Sequence, residues 1–70
     1  MKEIISHKEI DVVGRGTIYI TSLSENNLHI NDLEIGKNVI INNVVRKIRN
    51  VEMARDGFGV VKDTVGIIAV

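Results

Sequence analysis

The sequence predicts an all-β fold, a small closed antiparallel β-barrel, and three observations point there. Isoleucine and valine dominate the apolar residues while proline and tryptophan are absent, and branched side chains with restricted χ1 angles fit a pleated surface better than a helix. Short apolar runs alternate with asparagine, aspartate and glycine clusters about every eight to twelve residues, the spacing of short strands joined by turns. No stretch sustains the period of an amphipathic helix. At 70 residues the chain makes one domain, residues 1–70, and a chain of this size buries only about 60% of the surface its unfolded form exposes.

The elements follow in order. Glu9 to Val13 reads as a strand, and Gly14-Arg15-Gly16 as a bend, because two positions without Cβ atoms admit backbone angles that other residues avoid. Thr17 to Leu23 alternates, with Ile18 and Ile20 on one face and Thr17, Tyr19 and Thr21 on the other, so one face goes inward. Ser24 to Asn27 is a turn cluster, and Leu28 to Ile30 reads as a short returning strand. Asn42-Asn43 between Ile40-Ile41 and Val44-Val45 predicts a tight hairpin, since asparagine tolerates the positive φ of a primed turn. The second arm, Val44 to Met53, alternates only if a bulge absorbs one residue between Ile48 and Val51, and Asn50 is the natural candidate. Asp56-Gly57 marks a further turn. Val65 to Val70 is apolar enough for a closing strand covered on both faces. The uncharged segment Asn38 to Val45 invites pairing with another copy unless it is internal.

Composition narrows the chemistry. Without cysteine there is no disulfide framework or thiolate metal site, and a cytoplasmic setting is the simplest expectation. Neither a signal-peptide core nor a membrane span is expected. The formal net charge is zero, which weighs against strong nonspecific attraction to a polyanion. Its distribution is uneven: acidic residues outnumber basic ones before Lys37 and the reverse holds from Lys37 onward, so a basic face in the second half is expected.

No GxxxxGK[ST] loop is present to cradle phosphates, Gly14-Arg15-Gly16 is too short for a dinucleotide fingerprint, and Ser6, Ser22 and Ser24 have only His7 and His29 as conceivable bases. We therefore expect no enzyme, no catalytic residue, no cofactor and no small-molecule substrate. On an extended strand His7, Glu9 and Asp11 share a face and make a weak metal-binding set, but a solvated polar face explains them better, so no metal is expected. His29 is expected to face water. Arg46, Lys47 and Arg49 form a basic group with Lys47 and Arg49 on one face; a phosphate-contacting strand and a solvated strand both fit them, and Tyr19 and Phe58 are the only aromatic platforms for a base.

Four stretches, Gly14-Arg15-Gly16-Thr17, Leu33 to Ile41, Ile48 to Arg55 and Val65 to Val70, fall in an order that resembles the second domain of translational GTPases of the elongation factor Tu type. Asn50-Val51-Glu52-Met53-Ala54-Arg55 is similar to the family pattern G-V-E-M-x-R with asparagine for the glycine. Leu33-Glu34-Ile35-Gly36 is similar to I-x-V-G, and Asp63-Thr64-Val65-Gly66 to D/E-N-V-G. The resemblance runs from about Ile10 to Val70. It implies a translation-factor domain 2-like barrel, here standing alone without a GTPase domain, that contacts tRNA or ribosomal RNA.

In that family a pocket for the aminoacylated end of tRNA uses the glutamate and arginine that correspond to Glu52 and Arg55. Where the family has a phenylalanine, a threonine and an asparagine, this chain has Ile10, Ile20 and Thr64. The expected function is thus a noncatalytic binding module, with Arg46, Lys47, Arg49, Glu52, Arg55, Lys62 and Thr64 as candidate contacts for RNA or a partner. The alternative is a structural or assembly protein acting through self-association or a protein partner, with Glu52 and Arg55 a surface pair.

Overall fold

The computed structural model describes residues 2–6 and 8–70. Among the described residues six strands form one sheet: β1 (Glu3–Ile4), β2 (Lys8–Val12), β3 (Gly16–Ser22), β4 (Asn38–Ile41), β5 (Val44–Asp56) and β6 (Gly59–Ala69), with a 3-10 turn at Ile30–Asp32. Their order across the sheet is β1-β4-β5-β6-β3-β2, and the sheet curls into a half-barrel. All pairings are antiparallel except β1 with β4, which run parallel. That pair departs from the antiparallel expectation because β1 joins the far end of the sheet from β2, although the two are neighbours in the chain.

Side chains bridge the passage between these two ends. Asn42 Oδ1 accepts from the Ser6 amide at 3.2 Å, and Asn42 Nδ2 donates to Ser6 Oγ at 2.8 Å and Glu9 Oε1 at 2.9 Å. Ile4 is fully buried, yet a two-residue strand leaves no periodicity to read, and the sequence pattern missed it.

The Asn42-Asn43 hairpin forms as expected, with φ of 51° and 70°, the left-handed pair that a primed turn needs for its twist to match the flanking strands. The Gly14 bend and the turn after Asp56 also form. Leu28 to Ile30 does not return as a strand: Ile30 opens the 3-10 turn. His29 caps it, its Nδ1 accepting from the Asn31 amide at 3.2 Å while Asp32 accepts from the His29 amide at 2.9 Å. These local bonds offer the backbone a partner that a strand pairing does not. The expected bulge in β5 lies one position earlier than Asn50. Ile48 pairs with Ala69 and Asn50 with Ile68, so Arg49 is the extra residue.

β6 is central rather than closing. It lies between β5 and β3, and every residue from Val65 to Ala69 is buried. Val65, Ile67 and Ala69 join Val39 and Ile41 of β4, Ile48 of β5 and Tyr19 of β3 in the core. The inward face of β3 is therefore the one bearing Tyr19 and Thr21, and Ile18 and Ile20 lie on the outer side. β4 is flanked by β1 and β5, so Ile40 and Ile41 of the uncharged Asn38 to Val45 segment have a neighbour on both sides, while Val44 and Val45 pair with β4 and stay exposed.

Candidate functional site

The outer face of β2, β3, β6 and β5 carries a cleft of about 570 Å3 lined by Ile10, Ile18, Ile20, Gly66 and the run Glu52-Met53-Ala54-Arg55. Strand register explains the apolar floor. Ile10 pairs with Ile18, Ile18 with Ile68, and Ile20 with Gly66, which in turn pairs with Glu52, so these side chains stand side by side on one surface. Gly66 keeps the floor open, since a Cβ there would stand 3.1 Å from Ile18 Cγ2, tighter than ordinary packing allows. Ile68, outside the inner core, is still only 7% exposed between Ile18 and Asn50.

Two irregularities raise the far wall. The β5–β6 register shifts between Met53 and Arg55, and Asp63 on β6 adopts a φ of 67°. Extra residues on one strand bend the ladder, and the hairpin beyond them, from Arg55 to Lys62, forms an arm in which no described residue belongs to the core cluster.

The arm is fastened at its base by the Asp63 carboxylate. It accepts from Ser22 Oγ at 2.9 Å, from the Ser24 amide at 3.1 Å and from the Ser24 hydroxyl, while its backbone carbonyl accepts from the Leu23 amide at 2.9 Å. The Ser24 hydroxyl, then the Ser22 hydroxyl, hold the Asp63 carboxyl below its ordinary 3.8 against a smaller opposing effect of desolvation. A carboxylate stabilised in the native state takes up a proton first in the unfolded chain, so its contribution is complete above about pH 5 and is lost as pH falls through the native value. Asp63→Asn keeps a residue tolerant of positive φ and removes that titration. Urea unfolding followed by circular dichroism should therefore show a smaller loss of stability between about pH 6 and pH 3 in the variant than in the wild type; equal losses would remove Asp63 from the account.

Charge is placed at both ends of the cleft. Arg15, on the β2–β3 turn, donates to Glu52 Oε1 at 2.5 Å, and Asn50 Nδ2 lies 3.4 Å from the same oxygen. Arg15 and Glu52 side chains remain 47% and 44% exposed, so the pair contributes under about 1 kcal/mol to stability. Arg55 lines the cleft without sharing that ion pair. Glu52 and Arg55 thus converge on one cleft with Ile10 and Ile20, but they are not each other's ion-pair partners among the described residues.

The remaining candidates lie elsewhere. Arg46 turns toward the interior, its guanidinium carbon 5.4 Å from the Tyr19 ring centroid and its Nε buried without a hydrogen-bond partner. Stacking on the ring face stabilises the cation there. Lys47, Arg49 and Lys62 are exposed. Thr64 is half-buried beside the bulge, with Oγ1 3.5 Å from the Lys62 carbonyl, and is not part of the cleft lining. His7, proposed as part of a weak metal set, lies outside the described residues. Among the described residues no group of three histidine, cysteine or acidic side chains is arranged to hold a metal, and no helix is long and apolar enough to cross a membrane.

Sequence reasoning missed Ile18, Met53, Ala54 and Gly66 as cleft residues, and Arg15 as the ion-pair partner of Glu52. The available signal was the apolar alternation at Ile18 and Ile20 opposite Tyr19 and Thr21, which marks two covered faces rather than one. No protein-family model, curated protein or solved structure matches this chain.

Proposed function

We propose that this chain is a noncatalytic binding module, built on a closed barrel of the translation-factor second-domain type, that contacts RNA or a ribonucleoprotein. The supporting observation is the convergence of Glu52 and Arg55 with Ile10 and Ile20 on one cleft, with the exposed cations Lys47, Arg49 and Lys62 elsewhere on the same β5–β6 pair. An apolar floor beside a guanidinium suits an unstacked base or its sugar next to a phosphate. Counting Arg55, four cations in phosphate contact give a slope of log K against log salt of about −3 at most for a single strand.

Titration of purified protein with tRNA and with ribosomal particles tests this. Salt-sensitive binding at about micromolar concentration supports it, because a module with no net charge has no strong long-range attraction to compensate for few contacts. Protein that copurifies without nucleic acid and binds neither target at low salt contradicts it. A second reading, self-association or a protein partner, is supported by Val45 and Val70, both exposed and placed around Lys47 by the β4–β5 pairing and the Lys47–Val70 backbone bonds. A mass by light scattering that stays monomeric at all concentrations counts against self-association.

A further inference from the structure

β2 stands at the margin of the sheet. Lys8 to Val12 pair with β3 on one side, and among the described residues no strand lies on the other. An end strand turns the amide and carbonyl of every second residue away from its one neighbour, and such an edge accepts a further strand unless its side chains prevent it.

Register fixes what this edge presents. Ile10 pairs with Ile18 and Ile18 with Ile68, so one apolar row crosses the outer face and stops at the margin. Glu9 and Asp11 pair with Tyr19 and Thr17 on the other face and are exposed. Each carboxylate is held by a neutral donor: Asn42 Nδ2 donates to Glu9 Oε1 at 2.9 Å, and Thr17 Oγ1 donates to Asp11 Oδ1 at 2.7 Å. Among the described residues neither carboxylate has a cation as its partner.

These charges decide which strand fits. If a second copy added its own β2, every antiparallel register centred on Glu9, Ile10 or Asp11 would set two carboxylates directly opposite each other, which destabilises the pair. A strand with lysine or arginine at those positions reverses the sign, and an apolar residue between them continues the row that ends at Ile10.

We propose that the free edge of β2 takes an extended basic segment of a different protein as an added strand, with an apolar side chain beside Ile10 and lysine or arginine opposite Glu9 and Asp11. The exposed cations Lys47, Arg49 and Lys62 lie on β5 and β6, so this surface is separate from them and does not depend on the RNA-binding reading.

The test uses the full chain and a fluorescein-labelled peptide of about eight residues, with blocked termini and lysine alternating with valine, followed by anisotropy. One comparison peptide has the same residues with the lysines in a single block, and two more carry N-methyl groups on the lysine amides or on the valine amides. We expect the alternating peptide to bind about tenfold more tightly than the blocked one, and only one of the methylated peptides to lose about tenfold in affinity, because an added strand turns every second amide toward β2. Glu9→Gln with Asp11→Asn keeps both acceptors and removes both charges; it should weaken binding about tenfold and flatten its salt dependence, with an unchanged circular dichroism spectrum. Equal binding of the alternating and blocked peptides, equal binding of the two methylated peptides, or equal binding by wild type and the double variant would each overturn the proposal. Titration with RNA decides the other reading separately, whatever these peptides do.

Discussion

Ile67→Ala should lower the free energy of unfolding by about 2–5 kcal/mol, the cost of removing a large aliphatic side chain from a site that collapses only partly around the gap. Ile67 has 0% exposure and pairs with Tyr19 on one side and Val51 on the other, on the most deeply covered strand of the sheet. A domain of this size has a total stability of about 3–10 kcal/mol, so the loss consumes a large part of the margin. Urea unfolding followed by circular dichroism should show the midpoint falling with the slope preserved, because the surface exposed on unfolding barely changes. A loss below about 1 kcal/mol, the range of a surface substitution, would mean that β6 is not the centre of the core.

Thr21→Val should cost about 1–3 kcal/mol although the two side chains have nearly the same shape. Thr21 is a fully buried polar side chain. Its Oγ1 donates to the Ile5 carbonyl at 2.8 Å and accepts from Asn26 Nδ2 at 2.6 Å. Asn26 completes the clasp, accepting from the Ile5 amide at 2.8 Å and donating to the Ser22 carbonyl at 2.7 Å. Valine leaves the Ile5 carbonyl and one Asn26 donor position without that partner in a partly buried region, and the penalty for such a group exceeds the net contribution of the bond itself. Thr21→Ser should retain most of the stability, and the Ile5 amide should exchange faster with solvent in the valine variant only. Equal unfolding midpoints for all three proteins would show that the clasp does not fasten the start of the chain to β3.

Much of the strand pattern was legible because its signals are local. Asn42-Asn43 fixes a turn through the φ preference of two adjacent residues, and the continuous apolar run from Val65 to Ala69 marks a strand covered on both faces whatever lies next to it. The losses came where partners distant in sequence decide the outcome. Ile4 is buried because β4 receives it, and nothing in residues 3–4 announces that. Leu28 to Ile30 has strand-like composition, yet the His29 cap and Asp32 claim the backbone first. The face of β3 that turns inward was ambiguous from alternation alone, since isoleucines mark one side and Tyr19 with Thr21 the other; the structure buries the second set and gives the isoleucines to the cleft.

The site was legible in part for the same reason. Glu52 and Arg55 lie three apart on one strand, where plain alternation puts them on opposite faces, yet both line the cleft at the place where the β5–β6 register shifts. Arg46 shows the opposite case. Its charge suggests solvent, while its position opposite Val39 on β4 points it inward onto Tyr19, where the ring offers a face that water does not.

Because β1 and β2 stand at opposite ends of the sheet and are consecutive in the chain, Glu3–Ile4 and Lys8–Val12 form its two margins. Loss of both strands would uncover β3 and β4 together, and the second of these carries the uncharged run from Asn38 onward. An exposed edge of that composition is a template for intermolecular sheet growth, and β1 covers the part of it at Ile40 and Ile41.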